Sequence, residues 1–81
     1  KDDADGAIEY LETAYASKKN FEICNGLGNA YNKKENYEQA TKYYAEALKD
    51  PSITAEQKTE VQTSINKINI LLKNKNILEN M

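Results

Sequence analysis

Few residues of this 81-residue chain could take part in covalent chemistry. Cys24 is the single cysteine, and the sequence contains no histidine that could activate its thiol. A cysteine without a partner usually behaves as a small buried apolar residue, which is our prediction for Cys24. No spacing indicates a nucleophile with its base, a pair of acid and base groups, or a glycine-rich phosphate loop. We therefore expect no enzymatic activity and no cofactor.

A cluster of carboxylates at the start of the chain, Asp2, Asp3 and Asp5, resembles a cation-binding loop only loosely. Such a loop needs a glycine at its sharp turn and a distal bidentate glutamate, and neither stands at the proper spacing. Acidic residues at the beginning of a helix cap it and favour the positive end of its dipole. Helix capping therefore explains the cluster, and we expect no metal site.

A stripe of amide side chains is the best candidate for a binding surface. Asn25, Asn29 and Asn32 recur at i, i+4 and i+7, with Glu22 and Lys33 beside them. The asparagine amide both donates and accepts, so it can pair with a peptide backbone whatever the side chains of that peptide. The alternative is that these are solvated positions in a chain whose composition reflects an A/T-rich genome, since all 11 basic residues are lysine.

Composition excludes several classes of partner. The net charge is −2 and lysines alternate with acidic residues, whereas nucleic-acid binding needs a clustered basic face. The six tyrosines stand at core positions of the predicted helices, so we interpret them as packing residues. No apolar run approaches the ~18 residues of a membrane span, so we expect no membrane insertion. The length allows one small domain, residues 1–81.

Apolar residues recur with the helical period in four segments, which predicts an all-α fold. A turn at residues 34–36 separates the second helix from the third, and Pro51 ends the third. Thr54 and Gln57 have the spacing of a capping box at the start of the fourth. The predicted buried residues are Ala7, Leu11, Ala14 and Tyr15 in the first helix, Cys24, Leu27, Ala30 and Tyr31 in the second, Tyr37, Ala40, Tyr44, Ala47 and Leu48 in the third, and Val61, Ile65, Ile68 and Leu72 in the fourth.

The first helix repeats the third. Shifting the chain by 33 residues places Ala7 on Ala40, Tyr10 on Tyr43, Leu11 on Tyr44, Ala14 on Ala47 and Tyr15 on Leu48. Gly28 stands inside the second helix, where glycine costs roughly 0.5–1 kcal/mol relative to alanine. Close approach of a neighbouring helix is the usual reason for such a glycine, and we expect one here.

Residues 24–51 resemble a tetratricopeptide repeat, in which Trp, Leu-Gly and Tyr on one helix precede Ala and Phe on the next and a proline after it. Cys24 stands in the place of the tryptophan, and Pro51 comes one residue early. The residues that match are Leu27, Gly28 and Tyr31 on the first helix and Ala40, Tyr44 (for Phe) and Ala47 on the second. The resemblance implies antiparallel helix-turn-helix repeats: a half repeat in residues 1–16, a full repeat in 21–51 and a C-terminal capping helix in 54–78.

The resemblance also implies a function. In tetratricopeptide arrays the first helix of each repeat lines a concave groove that holds extended peptides, and the asparagine stripe maps to that side. Lys58 and Gln62 are expected to continue this surface on the fourth helix. The predicted peptide-binding residues are therefore Glu22, Asn25, Asn29, Asn32, Lys33, Lys58 and Gln62. We expect a protein–protein interaction scaffold whose ligand is a peptide or a segment of a partner protein.

Two alternatives remain at this stage. The chain could be an oligomerisation or structural domain that uses its open helical ends for self-association, or a docking segment of a larger regulatory protein. Repeat arrays contact only their neighbours, so end helices expose apolar surface unless something covers them. The residues expected at such ends are Ile8, Leu11 and Tyr15 on the first helix and Ile70, Leu71, Ile77 and Leu78 on the fourth.

Overall fold

The computed structural model describes the backbone of residues 3–79 and the side chains of residues 3–75. Over that range the chain forms four helices and no strand: α1 Asp3–Ser17, α2 Phe21–Lys33, α3 Tyr37–Ala47 and α4 Ala55–Glu79. Helix α2 packs against both α1 and α3, and α3 also packs against α4. The predicted all-α fold made of helical hairpins is confirmed. Ile77 and Leu78 lie outside the described side chains.

Short polar residues fix where the helices begin. The Asn20 side-chain oxygen accepts a hydrogen bond from the backbone N–H of Ile23 (2.9 Å) at the start of α2. Asn36 accepts one from Gln39 (3.4 Å) at the start of α3. These side chains satisfy backbone donors that have no partner within a helix.

The capping box predicted before α4 is confirmed in both directions. The Thr54 hydroxyl accepts from the Gln57 N–H (3.1 Å), while the Gln57 side chain accepts from the Thr54 N–H (2.9 Å). The predicted turn between α2 and α3 is also present, with Glu35 in the left-handed region at φ 61°. This backbone conformation reverses the chain within three residues.

The core lies where α2, α3 and α4 meet. Its buried side chains are Phe21, Cys24, Ala40, Tyr44, Ala47, Val61 and Ile68. Of the six tyrosines predicted at core positions, Tyr43 is buried at 7% exposed, whereas Tyr10 is 74% exposed, which corrects the prediction for that residue. Leu72 was predicted to be buried but is 36% exposed. The reason is length: α4 has 25 residues and α3 has 11, so the end of α4 extends past its neighbour.

The contact between Gly28 and Tyr44 brings α2 and α3 together. A Cβ atom at position 28 would lie 2.5 Å from Cδ1 of the Tyr44 ring, far inside van der Waals contact. The Tyr44 side chain is 0% exposed and therefore has little room to move away. The glycine predicted to allow a close helix approach thus accommodates one particular aromatic ring.

Aromatic and polar contacts attach α1 to this hairpin. The Tyr43 ring packs edge-on against Tyr15 at 5.3 Å and stacks on Tyr31 at 5.7 Å between ring centroids. The Tyr31 hydroxyl donates to Glu12 (2.5 Å), and this hydrogen bond raises the pKa of Tyr31 to about 12. Leu11 lies against α2 beside Gly26. Leu11 and Tyr15 therefore pack against neighbouring helices, which corrects the expectation that they lie on an unpartnered side of α1.

Asp50 connects the turn after α3 to the start of α2. One carboxylate oxygen accepts from the Phe21 N–H (2.8 Å), and the other accepts from the Ser52 hydroxyl (2.7 Å) and the Ser52 N–H (2.9 Å). The hydrogen bond from the Ser52 side chain, followed by those from the two backbone N–H groups, lowers the pKa of Asp50. The carboxylate holds together two segments that are distant in the sequence.

We expect Gly28→Ala to lower the free energy of unfolding by about 1–3 kcal/mol, because the new methyl group overlaps the Tyr44 ring. Gly6→Ala is the matched control, since Gly6 also lies in a helix but nothing lies within 4 Å of its added Cβ. That control should raise stability by about 0.4–1 kcal/mol. Urea unfolding followed by circular dichroism measures both. A stabilising Gly28→Ala substitution would contradict the role of this contact.

A second prediction concerns pH. Because the pKa of Asp50 is lower in the folded than in the unfolded chain, its carboxylate stabilises the fold above the unfolded pKa. This contribution disappears as pH falls through the folded pKa. Asp50→Asn should therefore destabilise the chain at neutral pH and approach the wild type as pH falls below the lowered folded-state pKa of Asp50. Urea unfolding at several pH values tests this, with Glu56→Gln as control. If the difference in the free energy of unfolding between Asp50→Asn and the wild type stays constant with pH, the charge of the Asp50 carboxylate does not stabilise the fold.

Candidate functional site

The exposed side of α2 forms a narrow polar strip. Glu22, Asn29 and Lys33 are exposed, and helical geometry places them within about 40° of one another around the axis. We call these residues the α2 strip. Asn25 and Asn32 are half-buried along one edge of it. The five residues predicted on α2 therefore share one side of the helix, but they differ in how far they reach solvent.

A buried hydroxyl lies beneath this strip. The Tyr44 side chain crosses from α3, and its hydroxyl donates to the Asn29 side-chain oxygen (2.5 Å). Burial raises the pKa of Tyr44, and side-chain hydrogen bonds with Asn32 and Ser64 oppose that rise. Asn29 and Asn32 belong to α2 and Ser64 belongs to α4, so this hydroxyl lies where three helices meet.

The oxygen of Asn29 is therefore occupied within the fold. A hydroxyl that is removed from water needs a hydrogen-bond partner, and Asn29 supplies it. The prediction that the amides of Asn25, Asn29 and Asn32 are all available to a ligand needs correction for Asn29. Asn29 as a whole is exposed, and this hydrogen bond does not use its NH₂ group, which can still donate.

A matching strip on α4 consists of Glu56, Thr63 and Lys67. They stand 34 positions after Glu22, Asn29 and Lys33, and all three are exposed. Ser64, which contacts the Tyr44 hydroxyl, borders them. We call this the α4 strip, and the two strips together the binding face.

Lys58 and Gln62 are exposed, as expected for a binding role, but they lie elsewhere on α4. Helical geometry places Lys58 about 120° and Gln62 about 160° around the axis from Ser64. At the same 34-position spacing they correspond to Cys24 and Gly28, which pack inside the α2–α3 hairpin. Lys58 and Gln62 therefore lie on another side of α4 than Glu56, Thr63 and Lys67, and their part in binding stays a prediction.

A shallow trough of ≈ 450 Å³ runs between α1 and α2. Small residues form its floor, and charged residues stand at its margins. Its lining consists of Ala4, Ala7, Gly26 and Ala30, with Asp3, Asn29 and Lys33 at the edges. We call it the α1–α2 trough. It adjoins the α2 strip through Asn29 and Lys33.

A larger cleft of ≈ 640 Å³ lies at the beginnings of α2 and α4. Its charged lining is mixed, with Lys18, Lys19 and Lys49 alongside Glu22, Glu46 and Asp50. Lys49 pairs with Glu46 at 3.2 Å, and Asp50 accepts the hydrogen bonds that join α2 to the turn. This cleft offers no surface of one sign for a charged ligand.

The features that could support catalysis or ligation give no site. Cys24 is 1% exposed, as predicted, and burial raises the pKa of its thiol, with Glu46 and Asp50 adding to the effect. Among the described residues no group of three or more histidine, cysteine or acidic side chains could hold a metal ion. Within that same range no helix is long and apolar enough to cross a membrane.

Sequence reasoning missed the Tyr44 hydroxyl, Ser64 and the α4 strip. The signal for the Tyr44 hydroxyl and for Ser64 was the tyrosine at position 44, where the tetratricopeptide pattern has phenylalanine. A hydroxyl in a core requires polar neighbours. The signal for the α4 strip was the same order of residue types 34 positions later in the chain. Glu22, Asn29 and Lys33 of α2 recur there as Glu56, Thr63 and Lys67.

We expect Tyr44→Phe and Asn29→Ala to be coupled in a double-mutant cycle. Either change breaks the same hydrogen bond, so the double variant should lose less stability than the sum of the two single variants, by about 0.5–1.5 kcal/mol. Tyr44→Phe combined with Asn25→Ala is the control and should be additive. Urea unfolding gives the free energies. Additive effects at Asn29 would show that the hydroxyl has another main partner.

No family model matches this chain, and no curated protein or solved structure is significantly similar to it.

Proposed function

We propose that this chain is built from tetratricopeptide-type repeats and binds an extended peptide segment of a partner protein across its binding face. The observation that carries the proposal is the repetition of one exposed polar pattern on two helices. Glu22, Asn29 and Lys33 on α2 recur as Glu56, Thr63 and Lys67 on α4 at equal spacing. Nothing in the packing of the core requires these exposed side chains, so their repetition supports a shared ligand.

The charges on the binding face are arranged in order along the helices. Glu22 and Glu56 stand near the beginning of their helices, and Lys33 and Lys67 stand further along. Asn29 and Thr63 lie between them and offer neutral hydrogen-bonding groups. A peptide crossing both helices would meet backbone partners at the centre and complementary charge at each edge. We therefore propose a ligand with an acidic side chain opposite the lysines.

The Tyr44 hydroxyl supports this proposal because it fixes the central amide. Turning Asn29 away would break the hydrogen bond from the buried Tyr44 hydroxyl, at a cost of about 0.5–1.5 kcal/mol. The NH₂ group of Asn29 is consequently held ready to donate to a peptide carbonyl. A donor that is already ordered loses less conformational entropy on binding.

We also propose that the chain has no catalytic role. The thiol of Cys24 is the most nucleophilic side chain that the sequence offers, yet it is buried and its pKa is raised. A thiol must ionise to attack, and both conditions oppose ionisation. A binding surface is thus better supported than a reaction centre.

The proposal can be tested with peptides selected from a displayed library of random, extended sequences. The affinity of the selected peptide is then measured by fluorescence polarisation on the wild type and on a Lys33→Ala, Lys67→Ala double variant. We expect the double variant to bind about tenfold or more weakly, as for removal of central interface charges. Raising the salt concentration should weaken binding to the wild type more than binding to the variant.

Lys58→Ala is the matched control, because Lys58 is an equally exposed lysine of α4 on another side. It should leave the affinity unchanged. If Lys58→Ala weakens binding and the double variant does not, the ligand uses a different surface. Failure to enrich any peptide on the wild type would contradict the proposed function as a whole.

A further inference from the structure

We propose that the first turn of α1 is an internal competitor for the acidic ligand of the binding face. Its carboxylates, Asp3 and Asp5, lie beside the lysines at the end of α2 and weaken the binding of a ligand carboxylate at Lys33. This inference rests on the proposed function, because it concerns the regulation of that same site. It follows from the placement of these charges and from the way α1 is attached.

An ion pair fixes the start of α1 beside the end of α2. The Asp5 carboxylate pairs with the Lys34 ammonium group, and both side chains are partly exposed. Residues 18–20 join the opposite ends of these two helices, so α1 and α2 run antiparallel. Lys34 directly follows Lys33, the last residue of α2. The pair therefore brings an acidic turn to the lysine end of the α2 strip.

A second carboxylate borders the same trough as the lysine of the strip. Asp3 and Lys33 both line the α1–α2 trough, which Asn29 also borders. Asp3 and Lys33 are exposed, so a ligand at the mouth of the trough meets both charges. A carboxylate in this place attracts the Lys33 ammonium group as the acidic side chain of a ligand would. The ligand therefore approaches a lysine whose positive potential is already reduced.

The two lysines of the binding face differ in their surroundings along the chain. Helix α1, which borders Lys33, contains four carboxylates and no lysine between Asp3 and Ser17. The stretch of α4 that includes Lys67, from Val61 to Lys75, contains three lysines and no carboxylate. The internal competition therefore acts at the Lys33 end of the face.

Helix α1 is attached in a way that lets its first turn yield to a ligand. Between Asp3 and Ser17, Ala4 alone is buried. The hydrogen bond from Tyr31 to Glu12 and the Asp5–Lys34 pair both lie at exposed positions. Local opening costs least where few apolar side chains are buried. A ligand carboxylate can therefore displace this turn from the lysines at a modest cost in affinity.

The attraction across the trough is tested without a ligand. Urea unfolding is measured for Asp3→Asn, Lys33→Ala and the double variant at low and at high salt. We expect the cycle to show a coupling of about 1.5- to fivefold in the unfolding equilibrium constant at low salt, and less at high salt. Additive effects at both salt concentrations would overturn the inference and leave the proposed function standing.

The competition itself is tested with the library peptide. Asp3→Asn should strengthen the binding of the selected peptide about 1.5- to fivefold at low salt, because Lys33 has lost an internal partner. The same substitution in the Lys33→Ala background should have a smaller effect. Asp5→Asn, which releases Lys34 from its ion pair, should also strengthen binding. Circular dichroism confirms that every variant is folded.

Glu9→Gln is the matched control, since it removes one negative charge from another exposed residue of α1. Helical geometry places Glu9 about 120° around the axis from Asp3, away from the trough. It should change the affinity less than Asp3→Asn does. Equal effects of the two substitutions would indicate only the overall charge. Weaker binding by Asp3→Asn would indicate that Asp3 contacts a basic group of the ligand. Either result would overturn the competition.

Running the peptide selection on the wild type and on Asp3→Asn in parallel separates the two proposals. Enrichment on Asp3→Asn alone would support the competition strongly. If a peptide binds the wild type through Lys33 and Lys67 but Asp3→Asn has no effect, the proposed function stands and the competition fails. If neither chain enriches a peptide, the proposed function fails and the competition with it, whatever coupling the unfolding experiment gives.

Discussion

The contact between Gly28 and Tyr44 is the constraint on which the rest of this structure depends. The absence of one methyl group lets an aromatic ring approach the backbone of α2 closely. That ring belongs to the core, and its buried hydroxyl donates a hydrogen bond to the exposed residue Asn29 of α2. The same side chain thus packs the hairpin and orders a polar group beneath the binding face. Fold and candidate site cannot vary independently at this point.

The near-regular repeat has two consequences, one for the exposed polar residues and one for the packing positions at its ends. Equal spacing places equivalent exposed polar residues on α2 and α4, which is the basis of the proposed peptide-binding function. The same regularity leaves equivalent packing positions at the two ends without partners in the described chain. Tyr10 is exposed and Tyr43 is buried, although they occupy the same place in the repeat. Repeat units are stabilised chiefly by their neighbours, so position in the array decides what a residue does.

Helical period and turn chemistry were sufficient to predict the four helices, the capping box at Thr54 and the close approach at Gly28. These features depend on local sequence and on one tight contact. The burial of Leu72 was predicted wrongly, because it depends on which helices surround α4. Extending the polar stripe from α2 required the spacing between repeats, not a choice of exposed polar residues. Whether the pattern serves peptide binding stays a prediction.

Tyr44, at the position where the tetratricopeptide pattern has phenylalanine, bears on the proposed recognition of a peptide. A phenylalanine at position 44 would leave Asn29 able to rotate and present either its oxygen or its NH₂ group. The hydroxyl of Tyr44 occupies the oxygen, so the amide presents a donor to solvent in one orientation. A surface with a fixed donor discriminates between ligands better than one with an adaptable amide, because a mismatched group stays unpaired. In the proposed peptide complex, a core residue would therefore contribute to the specificity of the surface above it.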